Sequence, residues 1–352
     1  MTEFQETHTS MPHNYLRLLY LRLFALLLIF CAIPVAAPAQ QRTKIVVGFA
    51  SMSSVVTSLW VAQEKGFFAR HGLDPQLVFI PGSPTLIASI NTGDINLAST
   101  GATATLGALV GGLDMKIIAP FGNYVQTDLV VRPEIKTPAD LKGKRIGVTS
   151  IGGTGWMSAM LGLEQIGLSP ERDKILIAAF GDQRVISNAL ETGTIQGASI
   201  AGIFSRRLKR MGYNFLGDME KIPLVGTSIV VKADYLASHQ PIVRSALRAM
   251  LEAHGYVLNP ANKASVIEVV SKKLGVTDPV AANDGYEDYV RRTDKKGFVV
   301  VDGLRNIQRF MKARNPKIGE INLDRLIDES ILRDFEKTGV LEQALSGKAA
   351  AR

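Results

Sequence analysis

The alternation of apolar and polar positions first becomes regular between residues 44 and 77. An apolar, β-rich run over 43–49 predicts a buried strand, and the small residues at 51–54 indicate a loop and a helix cap. Apolar residues then recur at i, i+4 and i+7, which predicts a helix over 55–71, and a second strand is predicted over 76–80. The loop thus lies where a strand ends and a helix begins, which is where open α/β sheets bind ligands.

Strands and helices of the same kind alternate along the remaining chain. The other predicted strands cover residues 96–99, 115–120, 129–132, 145–148, 175–179, 197–200, 214–216 and 225–232. The other predicted helices cover residues 83–93, 138–141, 156–166, 182–191, 203–211, 241–258, 264–274, 280–290, 301–313 and 326–338, with one more that ends at 111–112. This is the pattern of an α/β protein, and 352 residues suffice for two lobes with separate cores.

Two parts of the chain resemble each other. The segment NTGDINLAS at 91–99 aligns with ETGTIQGAS at 191–199, and residues 44–66 repeat the strand–loop–helix spacing of residues 145–167. Self-similarity of this kind predicts two copies of one βα architecture. If the two copies face each other, their equivalent loops surround one cleft. The equivalent loops are 51–53 with 152–154, and 100–102 with 200–202.

The first 39 residues have the features of a secretory signal peptide. Arg17 and Arg22 precede an apolar run over 23–33, and small residues at 37 and 39 mark a cleavage site after Ala39. A membrane anchor is the competing interpretation, but the run is shorter than the ~20 residues of a spanning helix. A lipid-modified Cys31 is a second alternative, disfavoured by the bulky residue before it. We therefore expect an exported, periplasmic chain without cysteine.

Composition narrows the function further. Hydrophobic residues make up 46% of the chain and charged residues 20%, as in ordinary globular proteins. The formal net charge is +8, which we attribute to solubility rather than to attraction of anions. The basic residues are scattered, which disfavours a nucleic-acid partner. His71, His239 and His254 show no metal-ligand spacing, so neither a metal nor another cofactor is expected.

Three segments carry a family resemblance: WVAQEKGFFARHGL at 60–73, IKTPADLKGKRIGV at 135–148, and 190–199 with its Thr-Gly-x-Ile. On these segments the chain resembles the periplasmic solute-binding proteins of ABC transporters. The similar branch includes binders of sulfonate, taurine, nitrate and thiamine-pyrimidine precursors. The resemblance implies the α/β type II periplasmic binding fold, in which two lobes, each a mixed sheet flanked by helices, are joined by two crossing strands. These would lie near 129–132 and 229–232.

The same resemblance implies a domain organisation and partners. Residues 1–39 would form the signal peptide, 40–130 the first part of lobe one, 131–224 lobe two, and 225–352 the return to lobe one with C-terminal helices. A small ligand would be trapped between the lobes by hinge closure. An ABC permease in the inner membrane would then recognise the closed form, and the protein is expected to be a monomer.

Candidate ligand residues lie in the strand–helix loops. The glycine-rich loop at 152–155 precedes a helix, so its N–H groups and the helix dipole favour an anion, although a tight turn without a ligand is the alternative. Asn123 adds an amide, and Trp156 and Phe204 add rings that either stack on a ligand or pack in the core. Arg184 either clamps a carboxylate or lies in solvent. The predicted ligand-binding residues are Ser51, Met52, Ser53, Thr100, Gly101, Ala102, Asn123, Gly152, Gly153, Thr154, Trp156 and Phe204.

Two classes of function fit these features. The leading hypothesis is a transport binding protein without catalysis, for a small organic anion or polar heterocycle such as a sulfonate, aromatic carboxylate or pyrimidine. The alternative is an enzyme on the same fold, similar to pyrimidine synthases, which would need a histidine or cysteine at the cleft. A ligand-loaded partner of a membrane sensor is a third possibility that the sequence does not separate from transport.

Overall fold

The computed structural model describes residues 41–347, so the predicted signal peptide and the C-terminal residues 348–352 lie outside it. The ten strands of the described chain are β1 Thr43–Phe49, β2 Leu73–Phe79, β3 Leu97–Thr100, β4 Met115–Pro120, β5 Thr127–Val131, β6 Arg145–Val148, β7 Leu176–Ala179, β8 Gly197–Ala201, β9 Asn214–Phe215 and β10 Ser228–Lys232.

Helices flank the strands. They are α1 Thr57–Glu64, α2 Phe67–Arg70, α3 Ser83–Asn91, α4 Ala102–Val110, α5 Thr154–Gln165, α6 Gln183–Glu191, α7 Gly202–Arg210, α8 Ala233–Ser238, α9 Gln240–Leu258, α10 Lys263–Leu274, α11 Pro279–Arg292, α12 Val301–Lys312, α13 Ser330–Lys337 and α14 Val340–Leu345. Short 3₁₀ segments lie at Ser54–Val56, Pro138–Leu141, Met219–Lys221, Pro260–Asn262, Pro316–Glu320 and Leu323–Leu326. Among residues 41–347, no helix is both long and apolar enough to cross a bilayer.

The strands form two sheets with the same internal plan. The first has the order β2-β1-β3-β10-β4 and the second the order β7-β6-β8-β5-β9. In each sheet three strands run parallel, and the fourth, β10 or β5, pairs antiparallel with its neighbour. The repeated topology agrees with the duplication seen in the sequence. The predicted fold class, two α/β lobes with mixed sheets, is confirmed.

The connections between the lobes are two short segments that pair with each other. Val125 N–H donates to Ile222 O at 3.0 Å, and Gly226 N–H donates to Gly122 O at 2.8 Å. These crossings, at 121–126 and 222–227, come just before β5 and β10, whereas the sequence placed them within those strands. The shift has a simple cause: β5 and β10 are hydrogen-bonded within the sheets, so the chain passes between the lobes just before them.

The first helix is shorter than the pattern predicts. A continuous helix over 55–71 is interrupted at Gly66, which takes a left-handed conformation with φ 71° and starts α2. Glycine adopts this conformation without the steric cost of a Cβ. The apolar periodicity did not reveal this break, because Phe67 and Phe68 after it are also apolar and buried in the core. The short helices α8 and α14 were also missed.

The C-terminal helices contact both lobes. Helix α9 packs on α1 of the first lobe, and α11 packs on α7 of the second. A Cβ added to Gly285 of α11 would lie only 3.1 Å from Ile203 Cβ of α7, so the two backbones approach closely there. The segment assigned by sequence to lobe one therefore also covers one side of lobe two.

A buried ion network joins α11 to β5 and α7. Arg206 Nη2 lies 3.0 Å from Asp128 Oδ2 and 2.6 Å from Asp288 Oδ1, and Arg292 Nη2 lies 2.5 Å from Asp128 Oδ1. Burial is the main influence on Asp288 and raises the pKa of its carboxyl, against the pull of Arg292 and Arg206. Each charge depends on its partners, because an isolated buried charge is strongly unfavourable.

Candidate functional site

A cavity of about 60 Å³ lies between the two lobes at the carboxyl ends of the strands. All four duplicated loops reach it, the position that the switch-point rule gives for ligands. The wall residues from these loops are Ser51 and Ser53 after β1, Thr100 and Gly101 after β3, Thr154 at the start of α5, and Ala201 before α7. The structure thus brings together loops that are separated by 150 residues in the chain, as the internal duplication predicted.

The lobes touch each other around this cavity. A Cβ added to Gly101 of lobe one would lie 2.0 Å from Thr154 Oγ1 of lobe two. On the other side, a Cβ added to Gly202 would lie 1.8 Å from Ser54 Oγ. Such distances are far below van der Waals contact, so a side chain at either position would force Thr154 or Ser54 to move. The two glycines therefore mark where the two lobes approach each other most closely.

Two glutamines that sequence analysis missed supply amide groups to the wall. Gln183 Oε1 accepts from Ala201 N–H at 3.1 Å, and Gln126 Oε1 accepts from Thr227 Oγ1 at 2.9 Å. Both side chains are buried and both line the cavity. Because each carbonyl end is occupied within the protein, the NH₂ end of each amide is the one available to a ligand.

Two hydroxyl groups of the wall are also free to bond. Thr100 Oγ1 and Ser158 Oγ are buried and have no hydrogen-bond partner among the described residues. A buried polar group without a partner lowers the stability of the fold by about 1–3 kcal/mol, so such groups usually bind a ligand or a water molecule. Ser158 lies one helical turn after Thr154 on α5, which explains why both reach the cavity.

Helix N-termini add positive potential to the wall. The helices α4 and α7 and the 3₁₀ turn Ser54–Val56 directly follow the wall residues Gly101, Ala201 and Ser53, and α5 begins at the wall residue Thr154. None of the four has a side-chain cap, although the first N–H of α4 donates to Val225 O. By contrast, Asp182 caps α6 by accepting from Arg184 N–H at 2.8 Å. Uncapped N–H groups and the helix dipole favour a negatively charged group. The cavity thereby attracts anions although no wall residue is charged.

Asn123 lies in the first crossing segment and not at the cavity. Its Nδ2 donates to Asp294 Oδ2 at 2.9 Å and to Phe298 O at 2.7 Å, and its Oδ1 accepts from Val300 N–H at 3.0 Å. The side chain is fully buried, and its amide is occupied by the loop that follows α11. Asn123 therefore does not line the cavity; its amide links the first crossing segment to the loop after α11.

The two predicted aromatic residues also face elsewhere. Trp156 packs on the outer side of α5, where the Arg314 guanidinium lies 4.9 Å above its ring. Its position two residues after Thr154 rotates it about 200° around the helix, away from the cavity. Phe204 belongs to the hydrophobic core. Arg184 is an exposed residue of α6, as the second alternative expected, and it donates to Leu274 O at the end of α10 instead of facing the cavity.

The remaining predicted residues lie beside the wall rather than in it. Met52 packs against the core, and Ala102 N–H donates to Val225 O at 3.1 Å. Gly152 and Gly153 face lobe one, and a Cβ added to Gly153 would lie 3.5 Å from the wall residue Ser83. These positions shape the contact between the lobes.

One buried histidine lies apart from the cavity. His254 Nε2 donates to Asp294 O at 2.7 Å, so Nδ1 accepts, with Ser58 Oγ 3.1 Å away. Burial lowers the pKa of His254 to about 4, which keeps the ring neutral near pH 7. No histidine or cysteine lines the cavity, and residues 41–347 contain no group of acidic, histidine or cysteine side chains able to hold a metal.

Two lobes of equal plan, paired crossing segments and a cavity between them define the periplasmic-binding-protein class of fold. The family model described as "NMT1/THI5 like" matches residues 53–264, which is more than half of the chain. The chain therefore belongs to the NMT1/THI5-like family.

Relatives and solved structures agree with this assignment. The Bacillus subtilis (strain 168) protein YtlA is 25% identical over 75% of this chain and 81% of its own length. The nitrate/nitrite binding protein NrtA of Nostoc sp. (strain PCC 7120) is 24% identical over 72% of this chain and 63% of its own length. The taurine-binding periplasmic protein of Escherichia coli (strain K12) is 25% identical over 57% of this chain and 63% of its own length. The chain thus spans less than two thirds of the last two relatives.

Among solved structures, the alkanesulfonate-binding protein SsuA of Xanthomonas axonopodis pv. citri, bound to MOPS, has a TM-score of 0.66. It is 19% identical, over 84% of this chain and 98% of that chain. The periplasmic nitrate-binding protein NrtA of Synechocystis PCC 6803 also has a TM-score of 0.66. It is 16% identical, over 87% of this chain and 91% of that chain. At these identities the likeness establishes the fold.

Proposed function

We propose that this protein is the substrate-binding component of an ABC importer, and that it closes on a small oxyanion such as a sulfonate or nitrate. The observation that carries the proposal is the wall of the cavity, which offers hydrogen-bond donors and helix N-termini but no charged residue. The NH₂ groups of Gln126 and Gln183 and the free hydroxyls of Thr100 and Ser158 are the donors.

The bonding pattern also favours a ligand that only accepts hydrogen bonds. Gln126 Oε1 accepts two bonds within the protein, from Thr227 N–H and Thr227 Oγ1, and Gln183 Oε1 accepts one, so the two amides offer a ligand more donors than acceptors. Sulfonate and nitrate carry no proton near pH 7, whereas hydrogen phosphate keeps one. A buried ligand proton without an acceptor costs affinity. Preference for sulfonate or nitrate over phosphate follows from this.

The relatives support a biological setting for this proposal. Two of them are named as a nitrate/nitrite binding protein and a taurine-binding periplasmic protein. We place this protein in the periplasm, as a monomer that delivers its ligand to an inner-membrane permease and performs no catalysis. Delivery of the loaded form to a membrane sensor uses the same site and is the second candidate.

A conservative variant tests the site. In Gln183→Glu, one carboxylate oxygen still accepts from Ala201 N–H, while the other replaces the NH₂ donor with negative charge. The ligand screen is a thermal-shift series with methanesulfonate, taurine, nitrate, hydrogen phosphate and a pyrimidine, because a ligand that binds only the folded state raises the Tm. We expect stabilisation by a sulfonate or nitrate in the native protein and none in Gln183→Glu.

The control is Gln343→Glu, which makes the same change at an exposed position of α14. It should bind as the native protein does. Stabilisation by no member of the series would count against the proposal, as would Gln183→Glu binding a sulfonate normally. A best response to hydrogen phosphate would contradict the acceptor-only argument. Covalent turnover of a ligand would favour the enzyme alternative.

A further inference from the structure

A second cavity lies on the outer side of α5, away from the cleft. It has a volume of about 420 Å³, which is within the range of about 300–1,000 Å³ that small-molecule sites occupy. We name it the α5–α12 groove. It is lined by Trp156, Met160, Leu168, Phe310 and Arg314, together with Glu164, Ser169, Pro170, Glu171 and Ala313. The first four give it an apolar and aromatic lining, as is usual for sites that bind organic molecules.

The two walls of the groove are held by different parts of the molecule. One wall is α5 of lobe two, and the other is the end of α12. Asn306 of α12 donates to Pro223 O of the second crossing segment at 2.9 Å, which fixes α12 to the joint between the lobes. Arg309 spans the walls by two bonds to Glu164, at 2.6 and 2.7 Å. The groove is thus a built feature with a defined width.

Two donors in the groove have no acceptor. Trp156 is only 3% exposed, and its Nε1–H has no hydrogen-bond partner within residues 41–347. The Arg314 guanidinium lies over the same indole, 4.9 Å from the ring centre, and no carboxylate of the described chain pairs with it. The other two arginines of this region, Arg305 and Arg309, pair with Asp302 and Glu164.

Of the two carboxylates in the lining, Glu164 is engaged by Arg309, and Glu171 is exposed and accepts from Ser169 Oγ at 3.2 Å. The rest of the lining is apolar, with one cation that has no ion-pair partner among the described residues and one N–H without an acceptor there. The body of the ligand should be apolar, and its polar end should be an anionic acceptor. We propose that the α5–α12 groove is a second ligand site, which binds a small organic acid through Arg314 and Trp156 with its apolar part against Met160, Leu168 and Phe310. The site is separate from the interlobe cavity and does not depend on the transport proposal.

The tryptophan in the groove gives a direct signal. The chain has two tryptophans, and the other, Trp60, is fully buried in the core and should contribute a constant background. The probe is 3-phenylpropanoate, titrated into the purified protein while indole fluorescence is recorded. We expect a saturable change. The alcohol 3-phenylpropan-1-ol has the same apolar body without the carboxylate and should give none.

Three variants localise the binding. Arg314→Gln should weaken the titration by roughly tenfold or more, because a charge-assisted bond is lost. Arg305→Gln is the matched control, an exposed arginine of α12 that lies outside the groove, and it should titrate normally. Gln183→Glu alters only the interlobe cavity and should also titrate normally.

Several results would overturn the proposal. They are the lack of a saturable change with 3-phenylpropanoate, equal binding of the alcohol, and undiminished binding by Arg314→Gln. Loss of the signal in Gln183→Glu would mean that the acid enters the interlobe cavity instead. Because Arg314 is exposed, its replacement should leave the fold intact, and unchanged circular dichroism of the variant verifies this.

Discussion

Closure of the lobes should depend on the absence of a side chain at Gly101. Its backbone is extended, with φ −107° and ψ 162°, so alanine can adopt the same conformation without strain. The added Cβ, however, would lie 2.0 Å from Thr154 Oγ1 and 3.2 Å from Thr154 Cβ across the cleft, and 3.1 Å from the backbone Gly226 O of the second crossing segment. Gly101→Ala therefore obstructs the closed form while leaving the folded lobes intact.

The size of the effect follows from these distances. Rotation of Thr154 relieves the shorter contact, but its Cβ is fixed by the backbone and stays too close. Overpacking of this kind costs about 1–3 kcal/mol. Since the cost falls on the closed, ligand-bound form, the affinity should drop by about 5- to 150-fold.

Isothermal titration of a sulfonate that binds the native protein provides the measurement. Small-angle scattering with and without ligand shows whether the lobes close. The matched control is Gly107→Ala on α4, where the new Cβ would meet only Met311 Cε at an ordinary 3.4 Å. In a Thr154→Ala background the Oγ1 clash is absent, so Gly101→Ala should cost less there, as a double-mutant cycle would show.

The reasoning fails if Gly101→Ala binds as tightly as the native protein. It also fails if Gly101→Ala lowers the free energy of unfolding without ligand by as much as it lowers the free energy of binding, since the cost would then not be specific to closure. An equal loss in Gly107→Ala would point to a general effect of alanine on the helix.

Two further outcomes concern stability and are measured by urea unfolding. In the folded protein the pKa of His254 is about 4, whereas in the unfolded chain it returns to its usual 6.5. The unfolded chain therefore binds one more proton between these values, and the free energy of unfolding should fall by about 3 kcal/mol as the pH drops from 6.5 to 4. His254→Gln should lose this part of the pH dependence. Arg292→Met leaves Asp128 with one arginine fewer in a buried site and should cost about 3–5 kcal/mol, whereas Arg305→Met, at an exposed pair, should change stability by less than about 1 kcal/mol. A flat pH profile, or equal costs for the two arginines, would contradict these expectations.

Most of the fold was accessible from the sequence. The predicted bounds of β1, β4 and β6 agree with the structure, and α6, predicted over 182–191, begins one residue later. The alternation of strand and helix, the glycines between them and the internal duplication are all local signals. They sufficed to place the four loops around one cleft, because equivalent strand ends of a repeated α/β plan face the same edge of each sheet.

The chemistry of the site was less accessible. Gln183 lay inside the helix predicted over 182–191 and carried no binding signal, although its position shortly after β7 places it near a strand end at the cleft. Gln126 carried no local signal, because its carbonyl is held by Thr227, which is 101 residues away. Asn123 looked like a loop residue with a free amide, but Asp294, 171 residues further on, occupies it.

The sequence by itself therefore determined the two-lobed plan, the family and the loops that meet at the cleft, since these follow from periodicity and turn residues along the chain. Only the tertiary structure decided which side chains of those loops remain available to a ligand. A polar group is available to a ligand only when no other part of the protein bonds to it. The groups that occupy Asn123 and Gln126 come from segments more than 100 residues away in the sequence. Trp156 follows the cleft residue Thr154 in the sequence, but it lies on the opposite side of α5 and lines the α5–α12 groove.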